Sequence, residues 1–189
     1  MNSFKELYNK IFILKNPTNK TMKSELLPNI YPFNVERIEW NLDQSYSKTM
    51  RKLNSTLKRP GLFRIGLMLK FKQKDKFTSY INENTGVLGL MILGSIPHGL
   101  ILSLSGEHHR AIQLLIGNPL IALNMMKIHP EVGDYAPLRM MISEDDLGKT
   151  VITYEKPSTL FGQWNEQIFQ DTGKLLDEKM ETLIRILAN

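Results

Sequence analysis

Hydrophobic and polar positions follow two different periods in the first part of the chain. Val35–Trp40 alternates between apolar and polar residues and predicts a strand, and apolar residues at helical spacing then predict a helix ending near Leu57. After Pro60-Gly61, the apolar stretch Leu62–Phe71 predicts a second strand, and a short helix is predicted over residues 76–82. The domain is therefore predicted to open with strand, helix, strand and helix.

The segment Gly86–Gly106 contains 21 residues without a charged side chain. A transmembrane helix needs about 20 such residues, but internal glycines and a proline interrupt this stretch and favour a turn. We therefore predict no transmembrane segment. Instead, we expect two strands, Val87–Leu93 and Leu100–Leu104, joined by a turn at Ser95–Gly99.

A strand–turn–helix unit lies near the centre of the chain. The apolar run Ile112–Ile116 ends in Gly117-Asn118-Pro119, where Asn118 is suited to cap a helix and Pro119 to begin it. His129-Pro130 is predicted to end this helix, because the residue before a proline disfavours helical backbone.

Two strands and a long helix complete the chain. Leu138–Ile142 and Thr150–Tyr154 flank a hairpin turn, so at least part of the sheet is predicted to be antiparallel. Apolar residues at helical spacing predict the last helix from about residue 171 to Leu187. This order indicates an α+β domain over residues 33–189. It is preceded by an arm, residues 1–32, that begins with a short amphipathic helix.

Charge is distributed unevenly along the chain. Residues 1–76 contain 16 Lys and Arg against 6 Asp and Glu, whereas residues 77–189 contain 8 against 13. The basic part can face an anionic partner or complement the acidic part. There is no cysteine, which excludes disulfides and thiolate sites. The N-terminus lacks the apolar core of a secretory signal, so we expect a cytoplasmic protein.

The turn residues between positions 112 and 159 follow a recognisable order: Gly117, Asn118, Pro119, Ala122, Pro130, Gly133, Pro137, Glu144, Asp145, Asp146, Gly148, Lys156 and Pro157. This order resembles the domain-of-unknown-function 302 family, small bacterial proteins with a TBP-like fold, and the resemblance extends over roughly residues 33–189. It implies a two-layer α+β domain with a curved, mainly antiparallel sheet, helices packed on one face, and frequent assembly as a homodimer. The family has no settled activity, so the resemblance assigns no site residue.

Methionines are frequent in and beside the predicted sheet and central helix. Because methionine adapts to irregular apolar ligands, they suggest a cavity between the sheet and its helices. Our first hypothesis is that the protein binds a small apolar or acyl-like ligand there, without a metal or cofactor. The predicted ligand-binding residues are Met68, Met91, His109, Asn118, Met125, Arg139 and Tyr154.

The alternative hypothesis is an enzyme that acts on such a ligand by histidine-assisted proton transfer. His98, at the tip of the uncharged hairpin, and His109, before the central strand, are the candidate catalytic residues. Tyr135, Arg139 and Tyr154 can orient a substrate. The sequence contains no nucleophile-elbow or triad spacing, so covalent catalysis is not favoured.

Three other signals stay open. His108-His109 can bind a metal with a third ligand such as Glu107 or His98, but adjacent strand residues point to opposite faces, and we assign no metal site. The helix start at Pro119 can bind an anion, although proline removes one donor. The lysines of residues 70–76 can contact phosphates, but no base-stacking motif accompanies them, so nucleic acid is not an expected partner.

Overall fold

A computed structural model describes residues 28–106 and 109–189. The predicted helix at residues 4–14, most of the predicted arm, and Glu107 and His108 of the possible metal site lie outside the described residues. Phe33–Asn189 forms one compact unit. In the described part of the chain, no helix has the length and apolar character needed to cross a membrane.

The described strands form a single antiparallel sheet. They are β1 (Arg37–Ser45), β2 (Met91–Ile96), β3 (Ala111–Gly117), β4 (Leu138–Glu144) and β5 (Lys149–Glu155). Their spatial order is β1-β5-β4-β3-β2, and each neighbouring pair is antiparallel. The α+β class and the antiparallel sheet predicted from the sequence are therefore confirmed.

Helices occupy the connections and the C-terminus. They are α1 (Tyr46–Thr56), α2 (Leu62–Lys70), α3 (Lys74–Asn84), α4 (His98–Leu102), α5 (Pro119–Met126), α6 (Pro157–Phe161) and α7 (Gln167–Ala188). The Ser45 side chain caps α1 by accepting a hydrogen bond from the Lys48 backbone N–H. Three-residue and five-residue 3-10 turns follow α4 and α5, at Ser103–Ser105 and Pro130–Asp134.

One face of the sheet forms the main core. Alternate positions of the central strands are fully buried there: Leu114, Ile116, Met140, Ile142 and Ile152. The inward face of α7 covers this layer with Leu176, Met180, Leu183, Ile184 and Leu187. The intervening strand positions, such as Leu115 and Arg139, retain solvent exposure. A period of two in the strands and a helical stripe in α7 thus produce the two-layer architecture.

A second, smaller core holds α2 and α3 against β2. Its buried members are Ile65, Met68, Phe77, Tyr80, Ile81 and Met91. The strand predicted at Leu62–Phe71 is wrong, because this segment forms α2 and a turn in which Lys72 has a φ of 52°. Ile65 and Met68 lie on the inward side, three positions apart, and a continuous apolar run does not by itself distinguish that spacing from a strand.

The second strand predicted in the uncharged segment is also wrong. The chain leaves β2 at Pro97, forms α4 in place of the hairpin, and ends the following 3-10 turn at Gly106 with a φ of 85°. The hydroxyls of Ser103 and Ser105 donate to the carbonyls of Leu100 and Leu102, both at 2.7 Å. A proline has no N–H to donate to a strand neighbour, and the two serines support helical backbone, so Leu100–Leu104 is a helical connection.

Candidate functional site

The joint between β3 and α5 is fixed by Asn118. Its side-chain Oδ1 accepts a hydrogen bond from the Leu120 backbone N–H at 2.9 Å, and its Nδ2 donates to the Gly89 carbonyl at 2.8 Å. Pro119 occupies the first turn of α5. The predicted cap is therefore confirmed, and both ends of the Asn118 amide already have partners within the protein.

An apolar pocket of about 220 Å³ lies beside this joint. The sheet contributes Leu93, Ile116 and Leu138, and α5 contributes Asn118, Ile121, Ala122 and Met125. Phe161 of α6 and Leu176 of α7 line another part of the wall, together with the cis-linked Ala136-Pro137. Strands, helices and a connection from separate parts of the chain therefore meet around one half-open space.

The pocket lining determines which ligands can bind. Among the described residues that line the pocket, Asn118 alone has a side-chain nitrogen or oxygen, and none is ionisable. A cavity of about 150 Å³ lined by aliphatic and aromatic side chains holds a benzene ring. This pocket is larger, so it has room for a short hydrocarbon group but offers nothing to neutralise a buried charge.

The predicted ligand-binding residues are distributed over several places. Asn118 and Met125 line the apolar pocket together. Met68 and Met91 are buried in the second core, and Met68 also borders a groove on the other side of α5. Tyr154 is buried in the main core, where its hydroxyl accepts a hydrogen bond from the Trp40 indole at 3.4 Å and burial raises its pKa.

Arg139 lies on the opposite, solvent-exposed face of the sheet from the main core. Its Nη2 is 3.3 Å from Oε1 of Glu155 on the neighbouring strand β5. Both side chains retain a third or more of their exposure, so this pair is an ordinary surface ion pair. The structure therefore separates Arg139 from Asn118 and Met125.

The two candidate catalytic histidines lie at another end of the sheet. His98 begins α4, and His109 lines an exposed hollow of about 300 Å³ with Tyr46 and Arg110. The Arg110 Nε donates to Oε2 of Glu144 at 2.7 Å, and this hydrogen bond lowers the pKa of Glu144. Neither histidine lines the apolar pocket. Within residues 28–106 and 109–189, no three His, Asp or Glu side chains are grouped as metal ligands.

Most of the residues that line the pocket were not among the predicted ligand-binding residues. Phe161 and Leu176 carry no local signal, since each reads as an ordinary buried position of an amphipathic segment. Ala122 is the more informative residue, because a small side chain on the inner part of α5 leaves space beside Met125. The Gly117-Asn118-Pro119 motif marks the position of the pocket without revealing its apolar character.

Comparisons with known proteins identify the family. No curated protein matches the chain. The fold is similar to the crystal structure of an uncharacterized conserved protein DUF302 from Bacillus stearothermophilus, with 15% sequence identity and a TM-score of 0.56; the match covers 80% of this chain and 97% of that chain. Residues 69–189, well over half of the chain, match the Domain of unknown function DUF302. The chain therefore belongs to the DUF302 family.

Proposed function

We propose that this protein binds a small apolar or acyl-like ligand in the pocket beside α5. The observation that supports the proposal is the lining, which is apolar apart from an Asn118 amide already engaged by Leu120 and Gly89. Small-molecule sites are typically concave and largely apolar, with few polar groups. A hydrocarbon group would replace water against Ala122, Met125 and Phe161, and a polar head group would remain at the pocket opening.

Binding without catalysis is the form of the proposal that the geometry supports. The acid–base alternative needs a titratable group within hydrogen-bond reach of the ligand. His98 and His109 are not among the pocket residues, and none of the described lining residues is ionisable. We therefore propose a binding protein. The alternative, an enzyme that transfers a proton, would require turnover of a ligand in an activity assay.

The proposal is tested by filling the pocket from α5. We expect the Ala122→Phe variant to lose binding of octanoate, measured by isothermal titration calorimetry, because the new ring occupies the space beside Met125. The matched control is Asn124→Phe, which introduces the same side chain at an exposed position of the same helix. Octanoate binding that is equal in Ala122→Phe and wild-type protein, or absent from the wild type, would contradict the proposal.

We also propose that the protein forms a homodimer through the uncharged surface around α4. Leu100, Ile101 and Leu104 are exposed there, beside the edge strand β2. Two copies of an uncharged apolar surface can meet without like-charge repulsion. Leu104→Glu should yield monomers in light scattering, whereas Leu147→Glu should not, although Leu104 and Leu147 are similarly exposed at 88% and 80%.

A further inference from the structure

Helix α2 exposes an unusual amount of apolar surface. Leu62, Phe63, Leu67 and Leu69 of α2 all face solvent, as does Phe71 directly after the helix, and Phe63 is 82% exposed. Single exposed apolar residues are common, but a contiguous group on one short helix marks an interaction site. These exposed residues are distinct from the side of α2 that packs on the protein, because Ile65 and Met68 on that other side are buried in the second core.

Basic side chains surround this apolar group. Residues 58–76 contain seven Lys and Arg and one acidic residue, Asp75. The basic residues are all exposed: Lys58, Arg59, Arg64, Lys70, Lys72, Lys74 and Lys76. Among the described residues, none of them forms an ion pair with a carboxylate, whereas other cations do, such as Lys149 with Asp43 and Lys156 with Glu36, at 2.8 and 2.7 Å.

We propose that these exposed side chains of residues 58–76, here called the α2 surface, dock on an anionic phospholipid bilayer. Such a bilayer offers both chemistries that the surface presents. The phenylalanine and leucine side chains would enter the boundary between head groups and acyl chains, and the lysines and arginines would lie among the lipid phosphates. An α2 axis parallel to the bilayer plane would allow both contacts at once.

The α2 surface is already ordered for this interaction. The buried side of α2 is anchored on α3 and β2, and the Arg64 guanidinium lies over the Tyr80 ring, 4.6 Å from its centroid. The Tyr80 hydroxyl in turn accepts a hydrogen bond from the Gly61 backbone N–H at 2.8 Å, at the start of α2. Docking would therefore need little ordering of the backbone, which lowers its entropic cost.

A bilayer fits the α2 surface better than other partners. A symmetric contact with a second copy would place seven cations opposite seven cations. The phosphates of a nucleic acid would pair with the cations. Phe63 and the leucines would then lie against phosphate and sugar, which bind proteins mainly through charge and offer little to apolar side chains. The combination of large exposed apolar side chains with cations that form no ion pair with a described carboxylate favours anionic lipid.

The experiment is co-sedimentation of the full chain with lipid vesicles. We expect binding to vesicles of phosphatidylcholine mixed with phosphatidylglycerol, weaker binding to phosphatidylcholine alone, and loss of binding as salt is added. Phe63→Ser and Lys70→Glu should each lower the partition coefficient roughly tenfold or more, because one removes an inserted ring and the other reverses a charge. Both positions are exposed, so neither substitution disturbs the cores.

The matched controls are Leu175→Ser and Lys174→Glu, which make comparable changes at exposed positions of α7. These controls should bind mixed vesicles like the wild type. Equal losses in controls and α2 variants, or no binding to mixed vesicles, would overturn the proposal. So would light scattering in which Phe63→Ser converts an oligomer into a monomer without any vesicle binding. Binding of an oligonucleotide that Lys70→Glu abolishes and Phe63→Ser preserves, without vesicle binding, would assign the surface to nucleic acid instead.

Discussion

His129 is held between two carboxylates and against two aromatic rings. Its Nε2 lies 2.9 Å from Oε1 of Glu166, and its Nδ1 lies 3.2 Å from Oε1 of Glu131. The ring stacks on Trp164 and contacts Phe169, with centroid distances of 5.9 and 5.5 Å. The hydrogen bond to Glu166 is the main reason that the pKa of His129 is raised above 6.5, and the same contact lowers the pKa of Glu166.

This ion pair predicts a pH-dependent stability. The pKa of His129 is raised in the folded state, so its contribution to the free energy of unfolding is fully present below the ordinary pKa of 6.5. That contribution is lost as the pH rises through the folded-state pKa. The pKa of Glu166 is lowered from 4.5 in the folded state, so its contribution to the free energy of unfolding is lost as the pH falls through the folded-state pKa. Glu166→Gln should therefore destabilise the protein more at about pH 6 than at about pH 9, measured by urea denaturation.

A matched substitution on the same helix separates the ion pair from a general charge effect. Glu178→Gln removes one exposed carboxylate of α7 that forms no ion pair with another described residue. It should shift stability by a small amount that does not differ between the two pH values. A Glu166→Gln effect that is also independent of pH would show that the His129 contact does not contribute as described.

Two glycines at helical positions should respond in opposite ways to alanine. At Gly173 of α7, an added Cβ would lie 2.7 Å from Cα of Ser158, because α6 crosses α7 at this point. The Ser158 backbone N–H also donates to Oδ1 of Asp177 at 2.9 Å, which fixes the crossing. At Gly66 of α2, no atom of a described residue lies within 4 Å of the added Cβ apart from its chain neighbours and the backbone of the helix itself.

We expect Gly173→Ala to destabilise the protein by about 1–3 kcal/mol, since overpacking outweighs the better helix propensity of alanine. Gly66→Ala should instead stabilise it by about 0.5–1 kcal/mol, because alanine loses less backbone entropy on folding. Thermal unfolding of both variants measures the difference. Stabilisation by alanine at both positions would mean that α6 moves away from α7 at little cost.

The elements that could be predicted from the sequence have specific end signals. Asn118 and Pro119 define the start of α5, and the turn before Lys149 defines the β4–β5 hairpin. The predicted start of α7 was four residues late, because no side chain caps it at Glu166. The apolar run at α2 has no distinct period, and the side of α2 that is buried depends on contacts with α3 and β2 that no local pattern contains. The apolar run at α4 also has no distinct period, and no residue of that helix is buried.

At the scale of the whole molecule, the two cores divide the domain. The main core lies between the sheet and α7, whereas the second core holds α2 and α3 against β2. The apolar pocket could not be predicted because it exists only where β2, β3 and β4 of the sheet meet α5, α6 and α7. The sequence identifies the methionines as candidate lining residues, but whether each of them lines a pocket or is packed in a core depends on the assembled fold.

The smaller core should open independently of the larger one. Ile81 is fully buried between α2, α3 and β2, and Leu114 is fully buried in the main core. We expect Ile81→Ala to lower amide-exchange protection mainly in α2 and α3. The substitution should reduce the free energy of opening that region by about 2–5 kcal/mol. Leu114→Ala should lower protection throughout the domain. Uniform loss of protection in Ile81→Ala would show that the two cores unfold as one unit.

The pairing of β1 with β5 has a consequence for the synthesis of the protein. Glu36, next to β1, donates its backbone N–H to the Thr159 hydroxyl, and these residues are 123 positions apart. Among the described strands, β1 leaves the ribosome first and gains its neighbour in the sheet only after β5, the last of them, has been made. Long-range closures of this kind slow folding, and a waiting strand has unpaired backbone groups. The nascent chain must keep β1 from wrong partners until translation has passed β5.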